Sequence, residues 1–201
     1  MMSAQVLPIV EGHGEVEAVG VLVRRIALDL DPGLVPIVLH PMRISASKLL
    51  KSGELENAVE FAARRLAGAG GVLVLLDCDD GCPATEGPKL LERARLACRG
   101  LPVCVVLAKR EFEAWFLAAA ESLRGKRGLP MTLSRPGEPE EIRDAKGWLD
   151  QHLPSGRSYA ETTDQPALTA VFDMDVARRN ADSFDKCYRD VRHLIDSLRA
   201  S

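Results

Sequence analysis

The sequence has no excess of positive charge, although basic and acidic residues are both common. Its 26 Lys and Arg residues are offset by 29 Asp and Glu residues, which gives a formal net charge of −3. The chain as a whole is therefore not a basic nucleic-acid binder of the histone or repressor kind. An acidic enzyme can still meet a phosphate backbone through one local basic patch, so nucleic acid stays open as a partner.

Long apolar runs and paired cysteines are also missing. No apolar run approaches the roughly 20 residues of a membrane-spanning helix, and no charged start leads into an apolar core and a cleavage site. We therefore expect a cytoplasmic protein without a membrane partner. The five cysteines are an odd number without paired spacing, which is typical of reduced thiols. No second Cys or His pair follows Cys78 and Cys82 at zinc-finger spacing, which argues against zinc.

A short aliphatic run, residues 72–76, leads directly into carboxylates. Five consecutive Val and Leu residues are followed by Asp77, Asp79 and Asp80. The run predicts a strand buried on both faces, and such strands belong to parallel sheets covered by helices. Ligands bind at the carboxyl end of these strands, where an Asp-x-Asp pair can give oxygen ligands to Mg²⁺. The alternative is that these acids form a polar turn leaving the sheet.

Strands and helices alternate along the first part of the sequence. Apolar runs predict four strands, at residues 5–10, 34–40, 72–76 and 101–108. Helices are predicted after each of them, the third beginning near residue 90 after a loop that contains Pro83 and Pro88. Pro8 indicates an edge strand, or a strand whose amide is unpaired at that point. The order predicts an α/β fold with a doubly wound, mostly parallel four-stranded sheet and right-handed crossovers.

The second part of the sequence differs in composition. Residues 122–138 are rich in Gly, Pro and basic side chains, which predicts a mobile loop that either meets phosphates or is a solvated linker. Beyond it, helices are predicted over residues 139–153 and 184–198. We therefore expect an α/β domain over residues 1–123, with a basic loop and a helical extension packed on it over residues 124–201.

Acidic side chains follow three of the four predicted strands and should meet at one edge of the sheet. They are Glu11 with Glu15, Asp77 with Asp79 and Asp80, and Glu111 with Glu113. Crowded carboxylates repel one another unless a cation neutralises them, so one or two divalent metals are predicted. Such metals support phosphoryl transfer, with a free carboxylate as general base or acid. Charge on the phosphate could be offset by Lys109, Arg110 or Lys146.

Two short motifs mark the ends of the first and third strands: Val10-Glu11-Gly12 with Glu15, and Asp77-x-Asp79. Together they resemble the TOPRIM domain shared by topoisomerases, bacterial primases, recombination-repair proteins and overcoming-lysogenization-defect nucleases. Later segments are similar to a bacterial TOPRIM-like family of uncharacterised proteins, often found beside ATPases in mobile or defence loci. These segments are residues 111–115, 144–148, 163–166 and 182–184.

The resemblance implies a nuclease that depends on Mg²⁺ or Mn²⁺, acts on nucleic acid, most often DNA, and serves bacterial defence or repair. The metal ligands it implies are Glu11, Glu15, Asp77, Asp79 and Glu113. It also implies that Glu11 can be the general acid or base, that Lys146 contacts the scissile phosphate, and that an ATPase is a possible partner. Tyr159 and Tyr188 fall in the helical tail outside any recognisable cleavage domain, which disfavours topoisomerase activity.

Two other functions fit part of the same pattern. Phosphatases of the haloacid dehalogenase class use an Asp-x-Asp after an apolar strand, here Asp77 as nucleophile and Asp79 as general acid. In that class the motif normally follows the first strand, whereas here a complete strand that ends on Glu11 precedes it. The chain could instead be a non-catalytic subunit that docks on an ATPase through its helical tail. Apolar residues left exposed on the last helix would favour docking.

Overall fold

A computed structural model describes residues 4–98 and 100–200 of the chain. All strand pairs in its five-stranded sheet are parallel. The strands are β1 (Gln5–Val10), β2 (Ile37–Val38), β3 (Met42–Arg43), β4 (Gly71–Cys78) and β5 (Val103–Lys109). The order across the sheet is β2, β1, β4, β5. Strand β3 also pairs with β1, farther along β1 than β2 does.

Helices cover both faces of the sheet. Between the strands lie α1 (His13–Leu30), α2 (Ala46–Leu49), α3 (Glu54–Arg65) and α4 (Pro83–Ala97). After β5 come α5 (Ala114–Ala118), α6 (Ala145–Gln151), α7 (Glu161–Thr169), α8 (Met174–Asn180) and α9 (Asp182–Ala200), with 3₁₀ turns at Ala120–Leu123 and Pro139–Glu141. One apolar core joins the sheet to α1 and the later helices, and a second joins it to α2, α3 and α4. The predicted doubly wound α/β fold with C-terminal helices is confirmed.

Alternation along the strands decides where the acids point. In β4, Leu73 and Leu75 belong to the core beneath α1, whereas Val72, Val74 and Leu76 belong to the opposite core. Asp77 continues the first set, so its side chain leaves the sheet toward α1. The chain runs from β1 toward β2 on one side and from β4 toward β5 on the other. The carboxyl ends of β1 and β4 therefore flank the crevice where such folds bind ligands.

The strand predicted over residues 34–40 is found only at β2 (Ile37–Val38), and a second short strand that was not predicted, β3 (Met42–Arg43), follows it. The carbonyls of Val6 and Val10 accept hydrogen bonds from the chain segment that contains β2 and β3. Pro8 lies midway between them and faces the same segment, but it has no N–H to donate. Pairing breaks opposite Pro8. The sheet accordingly has five strands rather than four, and Pro8 lies in an inner strand at a position without a ladder bond.

Two predicted helix boundaries are also wrong. Helix α4 begins at Pro83 rather than near residue 90 and includes Pro88. A proline at the first helical position costs no bond, and the carbonyl that Pro88 leaves unpaired belongs to the exposed Ala84. The helix predicted over residues 139–153 is instead a 3₁₀ turn followed by α6, separated by an extended Ile142.

The last helix is slightly longer than the predicted 184–198. Residues 124–138, within the predicted basic loop, form turns and coil. Among the described helices, none is both long and apolar enough to cross a membrane.

Candidate active site

Asp77 lies at the end of β4 and points toward α1. Its Oδ1 accepts a hydrogen bond of 2.8 Å from the Phe112 N–H, which ties the end of β4 to the turn after β5. Burial raises the pKa of Asp77 well above its ordinary range, and the nearby charges of Glu15 and Glu113 raise it further. Lys146 opposes this effect. Asp77 is therefore the point at which the charges of several elements meet.

Glu113 enters the site through a sharp turn after β5. Arg110 adopts a left-handed backbone with φ 66°, and the chain then delivers Glu113 to the start of α5 with 0% exposure. The Tyr159 hydroxyl donates a hydrogen bond of 2.9 Å to Glu113 Oε1, and Lys146 Nζ lies 3.2 Å from Oε2. Burial raises the pKa of Glu113 to about 7, although Lys146 and Tyr159 both work to lower it. Glu113 can thus exchange a proton near neutral pH.

Glu15 lies in the first turn of α1 and is 5% exposed. Its carboxylate folds back over Gly12, where an added Cβ would stand 2.2 Å from Glu15 Oε2. Gln165 Nε2 donates a weak hydrogen bond of 3.3 Å to Glu15 Oε1. Glu15 Oε2 is buried without a hydrogen-bond partner in the described part of the chain. An unpaired buried carboxylate oxygen is costly, and a water molecule or a cation would supply the missing partner.

Glu11 lies between the buried acids and solvent. Its Oε1 accepts a hydrogen bond of 3.1 Å from the Ala46 N–H at the start of α2. Burial raises the pKa of Glu11, and the charges of Glu15 and Asp79 contribute to the rise. Asp79 itself is exposed at the rim of the site.

Asp80 is also exposed, and it pairs with Arg110 and Arg143 at 3.2 and 2.8 Å. The Asp80 carboxylate is therefore tied up in ion pairs on the surface.

Lys146 provides the positive charge nearest to the buried acids. The backbone N–H of Lys146 donates a hydrogen bond of 3.1 Å to Glu111 Oε2, and the side-chain Nζ lies 3.8 Å from the same oxygen. Burial works to lower the pKa of Lys146, but the charges of Glu113, Asp77 and Glu111 outweigh burial and raise it. Lys146 therefore stays protonated and offsets part of the acidic charge. Glu111 lies at the edge of this group, and Glu113 occupies its centre.

The acids are of the ligand type that a hard cation prefers, but their side chains are not arranged around a common point. Within residues 4–98 and 100–200, no three His, Cys, Asp or Glu side chains are arranged to hold a metal ion. All the candidate metal ligands are nevertheless carboxylate oxygens, which Mg²⁺ and Mn²⁺ prefer. Glu15 Oε2 and Glu113 Oε2 are buried without hydrogen-bond partners, although Lys146 pairs with the latter. These two oxygens and the raised pKa values of Asp77 and Glu113 indicate negative charge that the protein compensates only in part.

The structure brings together most of the residues that the sequence singled out. Glu15, Asp77, Glu113 and Lys146 interact within one cluster, and Glu11 lies beside it. Asp79 affects Glu11 only from the exposed rim.

Two polar residues of this site were not expected from the sequence, Tyr159 and Gln165. Burial and the Glu113 charge raise the pKa of Tyr159, so the phenol remains a donor and is poorly suited to be a nucleophile. Gln165 was visible only as part of the segment 163–166, and nothing local marked Tyr159.

The comparisons with known proteins are sparse. No curated protein and no solved structure shows detectable similarity to the chain. A family model described as "Domain of unknown function (DUF4276)" matches residues 10–192. This range contains all the acids of the site, together with Lys146, Tyr159 and Gln165. Because the match spans most of its length, the chain belongs to the DUF4276 family.

Proposed function

We propose that this protein is a divalent-metal-dependent phosphoryl-transfer enzyme that acts on nucleic acid, most simply a TOPRIM-type nuclease that cuts DNA. One observation carries the proposal: Glu15, Asp77 and Glu113 come from three different elements and crowd into one largely buried cluster beside Lys146. The cluster lies at the carboxyl ends of β1, β4 and β5, where open parallel sheets bind ligands. Buried charge of this density is stabilised best by a divalent cation.

The residues that would hold Mg²⁺ or Mn²⁺ are Glu11, Glu15, Asp77, Asp79 and Glu113. A cation bound there would polarise a phosphate oxygen and lower the pKa of a bound water. Glu11 is the candidate general acid or base on the solvent side. Glu113 can hold or release a proton near pH 7, since its pKa is raised to about 7. Lys146 supplies positive charge for the phosphate, and Tyr159 fixes the orientation of Glu113.

An open groove beside the cluster offers a place for an extended substrate. It encloses about 720 Å³ and runs along the first turns of α1 and α7. Its walls carry Arg43 and Glu17 as charged side chains, with His13, His40, Thr162 and Thr163 as polar ones. Arg43 is placed by β3, which pairs with β1 directly before Glu11. A strand of nucleic acid lying in this groove would pass close to Glu11.

The non-catalytic alternative has less support. Docking through the last helix would be favoured by apolar residues left exposed on α9, but its apolar side chains from Phe184 to Ile195 are buried and its outer face is polar. The resemblance to proteins that lie beside ATPases keeps an ATPase as a proposed partner, with a role in bacterial defence or repair. We expect such a partner to bind a surface other than α9.

The phosphatase alternative uses only part of the cluster. It assigns Asp77 and Asp79 but gives no work to Glu15 and Glu113, which are buried beside Asp77. Asp79 is also exposed at the rim, whereas Asp77 is directed toward α1.

Cleavage of DNA by the purified protein tests the proposal. Plasmid and single-stranded DNA are incubated with the protein in Mg²⁺ or Mn²⁺, and p-nitrophenyl phosphate serves as the phosphomonoester. We expect metal-dependent nicking that is lost in Glu11→Gln and Asp77→Asn and retained in Asp196→Asn, an exposed acid on α9. Turnover of the phosphomonoester that needs Asp77 but not Glu11 would establish the phosphatase instead. Intact DNA in both metals would reject a nuclease that acts without a partner.

A further inference from the structure

Two arginines converge on one buried carboxylate next to the acidic cluster. Asp164, which is 3% exposed, accepts hydrogen bonds of 2.8 Å at Oδ1 from both Arg127 Nε and Arg157 Nη2. Its Oδ2 accepts from the Ala160 N–H over 3.0 Å. One negative charge therefore holds two positive charges, and both oxygens of the carboxylate are occupied. Within the described residues neither guanidinium forms an ion pair with another carboxylate.

Both guanidiniums keep donors that can meet a ligand. The side chains of Arg127 and Arg157 are 44% and 32% exposed. Each guanidinium has five N–H donors, and Asp164 uses only one nitrogen of each. The free donors of a planar guanidinium can bind two oxygens of one phosphate at once. The excess positive charge of the pair favours an anion.

The backbone around the pair adopts conformations that ordinary side chains avoid. Arg127 has φ 51°, in the left-handed region, and Gly128 has φ 86°. A Cβ on Gly128 would stand 2.5 Å from Arg157 Nη1, so only glycine lets this guanidinium lie against the loop. Strain of this kind persists where the surrounding structure enforces it, and it is common at ligand-binding sites. Here the two residues concerned are Arg127 itself and the glycine against which the Arg157 guanidinium lies.

The pair is joined to the acidic cluster through the first turn of α7. Gln165, next to Asp164, donates to Glu15 Oε1, and Tyr159, two residues after Arg157, donates to Glu113 Oε1. An added Cβ on Gly14 would stand 1.9 Å from Gln165 Oε1, so α7 lies directly against the start of α1. The arginines and the acids are therefore linked by hydrogen bonds through Gln165 and Tyr159, and each kind of charge has its own position.

We propose that Arg127 and Arg157 form a phosphate clamp that binds a non-scissile phosphate of the nucleic-acid strand, with Asp164 as the residue that positions both guanidiniums. The inference rests on the proposed function and adds a substrate-binding site distinct from the metal ligands. Lys146 lies among the acids at the reacting centre, whereas the clamp faces solvent. The two sites would fix the strand at two points and set its direction across the cluster.

Binding of a fluorescein-labelled, single-stranded DNA 20-mer tests the clamp separately from cleavage. Anisotropy is measured in Ca²⁺ at several salt concentrations. We expect Arg127→Gln and Arg157→Gln each to weaken binding about tenfold and to reduce the salt-dependence slope by about one. Arg157→Lys should recover the salt-dependence slope, because it keeps the positive charge. It should recover only part of the affinity, because lysine lacks the planar guanidinium. Arg199→Gln, whose partner Asp31 follows the opposite end of α1, should match the unaltered protein.

The outcomes separate the clamp from the proposed function. If the unaltered protein binds and cuts DNA while both glutamine variants keep its affinity and slope, the clamp is wrong and the nuclease stands. If the unaltered protein neither binds nor cuts DNA, both proposals fail together. If the arginines only stabilise the fold, Arg157→Lys and Arg157→Gln should both have a lower unfolding temperature, and the salt-dependence slope should not differ between them. That result would also reject the clamp.

Discussion

The Tyr159 hydroxyl donates a hydrogen bond of 2.9 Å to Glu113 Oε1, although 46 residues separate the two in the chain. Glu113 is buried, and its second oxygen faces Lys146. The bond therefore supplies one of the few partners of a carboxylate that burial would otherwise keep protonated. It also attaches the coil before α7 to the start of α5. Tyr159 thus links the C-terminal helices to the acidic cluster.

Tyr159→Phe should destabilise the protein by about 1 to 3 kcal/mol at pH 8, because it leaves a buried, charged oxygen without its donor. Urea unfolding in EDTA measures the loss. The same substitution in a Glu113→Ala background removes no hydrogen bond, so its cost there should be clearly smaller. Equal costs in the two backgrounds would mean that the hydroxyl acts on stability without Glu113.

The pH dependence of stability should report the raised pKa of Glu113. A carboxyl whose folded pKa lies above its unfolded value stabilises the fold at low pH, and this contribution is lost as pH rises. The window runs from the ordinary value of 4.5 to the folded value of about 7 and corresponds to roughly 3 kcal/mol. Relative to the unaltered protein, Glu113→Gln should therefore be more stable at pH 8 than at pH 4.5 by an amount of this order.

Urea unfolding in EDTA across this pH range measures the Glu113 effect. Glu92→Gln, a change at an exposed glutamate on α4, is the matched control and should keep the pH profile of the unaltered protein. A Glu113→Gln profile parallel to that of the control would mean that the carboxyl ionises normally in the fold.

Local patterns were enough to predict one half of the site. The aliphatic run before Asp77 identified a buried strand, and side-chain alternation then directs this acid toward α1. Glu11 and Glu15 were predicted from a strand followed by a turn into a helix. These positions follow from periodicity and from the rule that parallel strands end at the same edge of a sheet.

The other half depends on contacts that no local pattern encodes. Gln165 meets Glu15 across 150 residues, and Tyr159 lies in coil without periodicity. Their places depend on how α7 packs on α1, which the sequence indicates only through small residues such as Gly14. The interruption between β2 and β3 has a cause that is visible in the sequence, Pro8. Its effect could be worked out only after β1 was known to lie inside the sheet.

Gly12→Ala should disturb the cluster without touching a charged residue. The new Cβ would stand 2.2 Å from Glu15 Oε2, so the Glu15 carboxylate has to move. We expect a loss of about 1 to 3 kcal/mol in the free energy of unfolding, as for an overpacked buried site. Gly87→Ala is the control, because Gly87 lies in α4 with no atom within 4 Å of an added Cβ. That change should be neutral or stabilising. Equal effects of the two changes would contradict the tight approach at Gly12.

A divalent cation should stabilise the protein by neutralising the crowded acids. At pH 8, Mg²⁺ or Mn²⁺ at about one hundred times its dissociation constant would add about 2.7 kcal/mol and raise the unfolding temperature. EDTA should reverse the gain, and the gain should shrink at pH 5, where Glu113, with its pKa of about 7, is protonated. Calorimetry of the unaltered protein, Asp77→Asn and Asp196→Asn locates the effect. Asp196→Asn should keep the gain and Asp77→Asn should lose most of it. Equal gains in all three would place the bound cation away from Asp77, and the metal-dependent mechanism would then lose its site.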